Sequence, residues 1–398
     1  MTRRVGSRQW GVLAPPLPGP GLRVLWWGTY DAGKPRPRIL AEGLRAVGAT
    51  VDECRAPVWE GIEDKSQVTG GLRRLSLLLR WLARYPGLLV RFVRAPRPDL
   101  VLVGFPGVLD VILVAPLARL RGLPVAWDMF MSLYDTVVLD RRMVSPGSLA
   151  ARFLRRLEAM ALRLAHRVFL DTEAHARRIE SLYGLPPGSC GAVWVGAEVE
   201  RFRLPEPQAA RAPGAPLQVL FYGQLIPLHG VRTIVEAARL TRDEAVRWTL
   251  VGRGQDAPAI RRMLDETPLP KLRWIDWVDY GQLKDRIAEA DLCLGIFGTS
   301  GKAESVIPNK VFQVVAAGRP LVTRDSPAIR ELLEPAPPCV YLVPPGDPEA
   351  LAGAVRAHAA RAATGLREPC HRPLAAAIAA PAIGRQFVER VASSLGRG

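Results

Sequence analysis

Cysteine and histidine are scarce and scattered. Five of each occur in 398 residues, with the cysteines at 54, 190, 293, 339 and 370. That distribution has neither the paired spacing of a zinc ligand set nor a Cys-x-x-Cys redox pair. It predicts free thiols in a reducing compartment and no His/Cys metal centre. Long hydrophobic runs are also missing: none reaches the roughly 18 residues of a membrane-spanning helix. The basic opening MTRRVGSRQWGVLAPPLPGPG has no continuous apolar stretch ahead of its prolines. Residues 1–21 therefore read as a disordered leader rather than a signal peptide, and the chain as cytoplasmic. Acidic residues are in deficit, 38 against 54 Lys and Arg, for a net charge of +16. Residues 1–205 carry about 30 of the cations and about 18 of the anions, so the excess sits in the first half. Nucleic acid, an anionic membrane surface or an arginine-rich composition would each account for it. No basic motif interleaved with aromatics favours nucleic acid.

What is present is ordinary for a globular chain: 48% hydrophobic and 23% charged residues. Broad disorder is excluded, and the length admits two or three domains. Apolar runs of five to seven residues alternate with helical patterns. In the first half the runs are 22–28, 49–55, 99–105, 123–129 and 166–172, with helical patterns near 37–47 and 148–166. The Pro- and Ala-rich stretch RLPEPQAARAPGAP (203–216) reads as a linker, set at 206–216. A second series follows at 217–223, 246–252, 271–277, 290–297, 320–325 and 340–345. Such alternation predicts two doubly wound α/β domains in tandem, 22–205 and 217–375, with ligands in the cleft between them. Residues 376–398 read as a C-terminal helix crossing back to the first domain.

The most informative stretch is GIFGTSGKAESVIPNKVFQVVAAGRPLVTRD (295–325). An apolar strand ends in a loop of small residues, and Pro308 suits the first turn of a helix, where its missing N–H costs nothing. Gly318 and Pro320 stop that helix before a second strand. Its N-terminus then points free N–H groups at the loop, an arrangement suited to phosphate; a plain turn is the alternative.

These residues carry a family resemblance. VLFYGQLIPLHGVRTIVEAARL (219–240), WTLVGRGQDAPAIRRML (248–264), the 295–325 stretch and YLVPPGDPEALAGAV (341–355) stand in the order and spacing of the donor-binding domain of family 4 glycosyltransferases. HRVFLDTEAHARRIESLYGLP and VGAEVERF resemble the family's crossover into the linker. The resemblance covers residues 22–390 and implies the GT-B fold, two Rossmann-like domains facing each other across a cleft. It further implies a retaining, metal-independent enzyme with no cofactor. Such an enzyme moves a sugar from a nucleoside diphosphate sugar to a glycan or lipid-linked acceptor.

Carried over residue by residue, the resemblance exposes departures. The family's Arg and Lys beside the diphosphate are replaced by Gln224, after Gly223, and by His229. A protonated His229 would restore part of that charge, and Lys302 and Lys310 are further cations. Lys310 is expected either at the phosphate or at a solvated helix start. Of the family's paired glutamates, the one near the donor sugar aligns with Ser305, beside Glu304, and the one on the ribose with Gln313. Gly252 and Gly254 should border the base, and Gly301 and Ile307 the nucleotide-sugar loop. Asp128 is the nearest match to the family's sugar-proximal His, with Asp135 and Asp140 close in sequence; capping or ion pairing is the alternative for each. Catalysis is assigned to Asp128, His229 and Lys310. The altered motif keeps a second class open, a non-catalytic nucleotide- or partner-binding protein of this fold; a nucleotide-sugar epimerase fits the tail and loop blocks less well.

GLRRLSLLLRWLARY (71–85) sets Leu72, Leu75, Leu78, Leu79 and Leu82 on one helical face and Arg73, Arg80 and Arg84 opposite. Together with LLVRFVRAPR (88–97) this is the pattern of an interfacial helix, with residues 71–97 meeting an anionic membrane; packing on the domain core is the alternative.

Overall fold

The computed structural model describes residues 21–58, 71–204, 214–363 and 370–392. The leader, Gly21 excepted, and residues 206–213 of the linker lie outside the described residues. Two six-stranded sheets form, each entirely parallel. The first contains β1 Arg23–Gly28, β2 Thr50–Arg55, β3 Leu100–Val103, β4 Val125–Phe130, β5 Arg167–Leu170 and β6 Cys190–Ala192, in the order β2-β1-β3-β4-β5-β6. The second contains β7 Leu217–Tyr222, β8 Val246–Val251, β9 Leu272–Ile275, β10 Leu292–Leu294, β11 Leu321–Arg324 and β12 Val340–Val343, in the order β12-β11-β10-β7-β8-β9. Central strands such as Leu-Val-Leu-Val of β3 are buried at every residue, as helices on both faces require. β6 was not expected, because Cys-Gly-Ala is too short and too bland to carry a pattern.

Strand order reverses between β1 and β3 in the first sheet and between β7 and β10 in the second. Open parallel sheets bind ligands outside the carboxyl ends of their strands at such a reversal. The helix Ala380–Phe387 packs on Pro35–Ala46 of the first domain. Their backbones touch at Gly43 and Gly384: a Cβ on Gly384 would lie 2.0 Å from the Gly43 carbonyl oxygen. Phe387 meets Phe169 edge-on at 5.5 Å.

The domains are also joined across the cleft. Glu331, on the helix Pro327–Leu333, accepts from the backbone N–H groups of Glu173 (3.0 Å) and Ala174 (2.8 Å). A carboxylate from one domain thus satisfies the first turn of the helix Glu173–Tyr183 of the other. Nearby, the Thr172 hydroxyl donates to the carbonyl of Ser305.

The cysteines correct one expectation. Cys54, Cys190 and Cys293 are free and buried, but Cys339 and Cys370 are joined in a disulfide across 31 residues of sequence. His371 lies beside them, and the three side chains place their ligand atoms within 4.8 Å of one another. Spacing arithmetic misses such a cluster, because Cys339 precedes β12 whereas Cys370 enters from a different segment. The His371 Nε2 lies 2.9 Å from the Arg319 carbonyl, and burial pushes its imidazole down to about 4 from 6.5.

A stability prediction follows from that shift. Below about pH 6.5 the unfolded chain protonates this histidine while the folded protein does not. Stability therefore falls with decreasing pH down to about 4, by about 1.4 kcal/mol per unit at the steepest. His229, also held well below its ordinary value, adds to the slope. Urea unfolding between neutral pH and about pH 5 reads the effect. His371→Asn should flatten the slope, and an unchanged slope would remove His371 as its source.

Candidate functional site

At the reversal of the second sheet, β7 ends in Gly223 and Gln224, while β10 leads into the 295–308 loop and the helix Asn309–Ala316. Pro308 stands at the N-cap, one position before the expected first turn. Gly223 and Gly252 follow the neighbouring strands β7 and β8, and both need the left-handed region, at φ 138° and 142°. A Cβ on Gly252 would lie 1.8 Å from the Gly223 carbonyl oxygen, so the strand ends meet backbone to backbone. Gly254 crosses Leu225 in the same way. These glycines shape the floor of the site; their expected place beside a base rests on the resemblance.

Lys310, in the first turn of the 309–316 helix, is 5% exposed. Its Nζ has no hydrogen-bond partner and lies 3.7 Å from the centroid of the Phe221 ring. A Cβ on Gly223 would come within 3.0 Å of it. The alternative of a solvated helix start is ruled out. Desolvation holds the lysine well below its ordinary value, because a buried ammonium without an anion is costly. Buried polar groups are almost always paired, so an orphaned Nζ at a helix N-terminus marks a place for an anion.

Gln313, one turn further on, faces the same way: its Oε1 accepts from the Tyr222 hydroxyl at 3.1 Å, and that hydroxyl also reaches the Lys310 carbonyl at 3.2 Å. With Oε1 so engaged, the amide Nε2 can donate to a ligand hydroxyl. Tyr222, the last residue of β7, was not singled out from the sequence, although its position at the strand end was there to be read.

His229 does not carry the charge assigned to it. It is 9% exposed, and its Nδ1 contacts the Gln224 carbonyl; since a carbonyl only accepts, Nδ1 bears the proton. Burial first, and then the charge of Lys310, push the imidazole well below its usual range. At neutral pH His229 is a neutral ring that can accept through Nε2, with no cation to offer a phosphate.

Three further assignments change. Asp128, 1% exposed at the end of β4, is locked to Arg36, whose Nη2 and Nε lie 2.7 and 2.8 Å from its two oxygens. Arg36 also donates to the Val193 carbonyl and stacks over Phe130 at 4.9 Å. Asp128 is thus a buried structural partner, with no free oxygen for a sugar. Glu304 is exposed and turned outward. Gly301 makes room for Arg178 of the first domain, whose Nη1 would lie 2.4 Å from a Cβ there.

The rest of the 300–307 loop meets the first domain. Lys302 Nζ donates to the Thr136 hydroxyl at 2.6 Å, and burial lowers its pKa against the opposing pull of Asp140 and Asp135. Ser300 donates to Asp140 Oδ1 at 2.6 Å, leaving a buried Oδ2 with no partner. Ser305 donates to the Lys302 carbonyl, and Ile307 is 2% exposed in the core. Facing them is a π-helical turn, Asp135–Asp140, with Asp135 paired to Arg178 at 2.7 Å. The next residue, Arg141, donates from Nη2 to Gln224 Oε1 at 3.1 Å. Asp140 replaces Asp128 as the carboxylate with an open oxygen at the cleft. The arrangement offers an anion an unpaired cation at Lys310 and offers hydroxyls the polar groups of Gln313 and Asp140.

Residues 216–360 match the family described as "Glycosyl transferases group 1", and residues 12–193 match "Glycosyl transferase 4-like domain". WcaL of Salmonella typhimurium, named as a colanic acid biosynthesis glycosyltransferase, is 29% identical over 182 residues, 44% of this chain and 43% of that one. The chain thus aligns with less than half the length of this curated relative. Among solved structures, HepE of Anabaena in complex with UDP and glucose superposes with a TM-score of 0.63 at 14% identity, covering 94% of this chain and all of that one. The catalytic domain of starch synthase IV from Arabidopsis thaliana, bound to ADP and acarbose, superposes equally well at 12% identity over 95% of this chain and all of that one. At these identities the structures establish the fold.

Proposed function

Because the chain belongs to the group 1 glycosyl transferases and has the GT-B fold, we propose that it transfers a sugar from a nucleoside diphosphate donor to a glycan or lipid-linked acceptor in the synthesis of cell-surface polysaccharide or glycolipid. The observation that carries this reading is the buried, partnerless Lys310 ammonium at the β7/β10 reversal. UDP and ADP complexes of the structural relatives agree with a diphosphate there and leave the base open.

In the proposed reaction the acceptor hydroxyl attacks the anomeric carbon on the face the diphosphate leaves. The bond from that carbon to the β-phosphate oxygen breaks, the new glycosidic bond forms, and the departing phosphate takes the acceptor's proton. Configuration is retained, and no metal or enzyme nucleophile takes part. The protein contributes position and charge: the 309–316 helix N-terminus and Lys310 on the leaving diphosphate, Gln313 on the ribose. Asp140 Oδ2 is placed to hold a sugar hydroxyl. A second reading, nucleotide binding without transfer, draws on Ser305 and the outward Glu304 where the family has its sugar-proximal glutamate.

Titration with ADP, UDP and GDP and their monophosphates tests the site. At least one diphosphate should bind about tenfold or more tightly than its monophosphate, as a charge-assisted contact predicts. A donor screen that reads release of the diphosphate with an acceptor present then separates transfer from binding alone; binding without release favours the second reading.

The cytoplasmic membrane face is the proposed workplace. Among the described side chains of the helix Gly71–Leu82, Leu78, Leu79 and Leu82 are 43%, 57% and 43% exposed. Val90 and Val93 on the helix Tyr85–Arg94 are exposed too. Among the described side chains of this face these leucines are exposed, whereas Trp81 beside them packs against the domain core and donates to the Thr29 hydroxyl. Leu72 and Leu75 lie outside the described side chains. Among the described residues no helix is long and apolar enough to cross a membrane. Apolar burial with arginines at the headgroups supports interfacial docking. The protein should float with liposomes containing anionic lipid, and Leu78→Glu/Leu79→Glu should abolish flotation; a variant that still floats sinks the membrane reading.

A further inference from the structure

We propose that Arg141, from the N-terminal domain, supplies the diphosphate-binding cation that the C-terminal domain lacks at Gln224, so that the donor site is completed across the cleft. The inference rests on the diphosphate reading of the Lys310 site.

Gln224 directly follows Gly223 at the end of β7, and a Cβ on Gly223 would lie 3.0 Å from Lys310 Nζ. An arginine there would reach the phosphate from its own domain; this chain has a neutral amide. The guanidinium of Arg141 occupies the place instead, with Nη2 at 3.1 Å from Gln224 Oε1. An amide acceptor holds a guanidinium without cancelling its charge. A second tie comes from the loop after β8, where Gln255 Nε2 donates to the Arg141 carbonyl at 3.0 Å. Arg141 is therefore held by the segments that follow β7 and β8, the strands whose ends meet at Gly223 and Gly252. Its charge reaches the interior: it joins Lys310 and Lys302 in depressing the His229 imidazole.

The segment that delivers Arg141 is firmly built. Glu158, fully buried on the helix Leu149–Leu164, accepts from the Ser132 hydroxyl (2.7 Å) and from the backbone N–H of Leu133 (2.6 Å) and Tyr134 (3.1 Å). Asp135 is anchored by Arg178, and the turn through Asp140 ends at Arg141. A carboxylate with four donors, the Tyr183 hydroxyl being the fourth, and an ion pair together fix where the guanidinium arrives. The charge has been moved from the donor domain to its partner domain, so donor affinity becomes coupled to closure of the cleft. When the domains part, Lys310 and the helix N-terminus remain on one side while Arg141 leaves with the other.

Four proteins test this with the diphosphate and monophosphate that the wild type binds best: wild type, Arg141→Gln, the exchange Arg141→Gln/Gln224→Arg, and Gln224→Glu. Arg141→Gln should reduce the diphosphate-over-monophosphate preference at least tenfold, and the exchange should restore it to within about threefold. Gln224→Glu keeps Arg141 in place but neutralises it, so the preference should fall at least tenfold while the melting temperature holds. An unchanged preference in Arg141→Gln or in Gln224→Glu overturns the proposal. Loss in Arg141→Gln without recovery in the exchange also overturns it, because Arg141 would then be only a strut between the domains. If Arg141→Gln does not fold, Gln224→Glu decides alone. A wild type without any diphosphate preference would instead refute the reading of the Lys310 site.

Discussion

Lys310→Met is expected to make the protein more stable and almost inactive as a sugar donor site. In the free protein the ammonium is buried with no hydrogen-bond partner over the Phe221 ring, and unfolding releases it to water. Removing that burden should raise stability by about 1–3 kcal/mol. In the proposed reaction the same change removes the cation nearest the departing diphosphate, and comparable losses of one charge-stabilising group lower turnover by about 10²–10³. Opposite signs on stability and function are the mark of a group held for a ligand. The pH dependence follows. Burial depresses the lysine in the free protein, and a bound diphosphate raises it again. Binding therefore takes up a proton, and affinity falls as pH rises through the window between the free and bound values. Calorimetry in buffers of different ionisation enthalpy reads the uptake. A Lys310→Met protein that melts lower and still prefers diphosphates would refute the assignment.

Asp128→Ala should be among the most destabilising substitutions in the chain, with a loss of about 3–5 kcal/mol, because it strands the Arg36 guanidinium in the first domain's core. The arginine is 4% exposed and reaches both Asp128 oxygens. Arg36→Met/Asp128→Leu, which removes both charges, should recover most of the loss, as apolar replacements of buried pairs do. A protein that retains its melting temperature but loses transfer in Asp128→Ala would return Asp128 to the catalytic set.

The fold was legible because parallel strands covered on both faces must be continuously apolar. Eleven of the twelve strands lie in runs marked in the sequence, although β2 at the sheet edge is half charged and largely exposed, and only Cys-Gly-Ala of β6 lies in none. Lys310 and Gln313 were legible for a related reason: both sit on one short helix, whose period fixes that they face the same way. What the sequence hid was pairing over distance. Arg36 and Asp128 are separated by 92 residues, and Arg141 and Gln224 by 83. No local pattern links either pair. Burial was hidden too, and it inverts charge logic: His229 looked like a spare cation, but desolvation and Lys310 make it neutral. Cys339 and Cys370 looked solitary for the same want of a third dimension.

The contact between Gly43 and Gly384 has a consequence for how the protein is made. The face of the first sheet around Leu40, Leu44 and Phe169 is closed by Ala380, Ile383 and Phe387, so the domain synthesised first is the last to be completed. Until the ribosome has delivered those late residues, after the whole second domain, that apolar face has no native cover. The second domain draws on the same tail, since Ile378 is buried in its core and Leu374 and Ala375 pack against it. The last stretch of the chain thus closes both cores, residues 374–378 that of the second domain and residues 380–387 that of the first, so truncating it would strip apolar cover from both walls of the cleft.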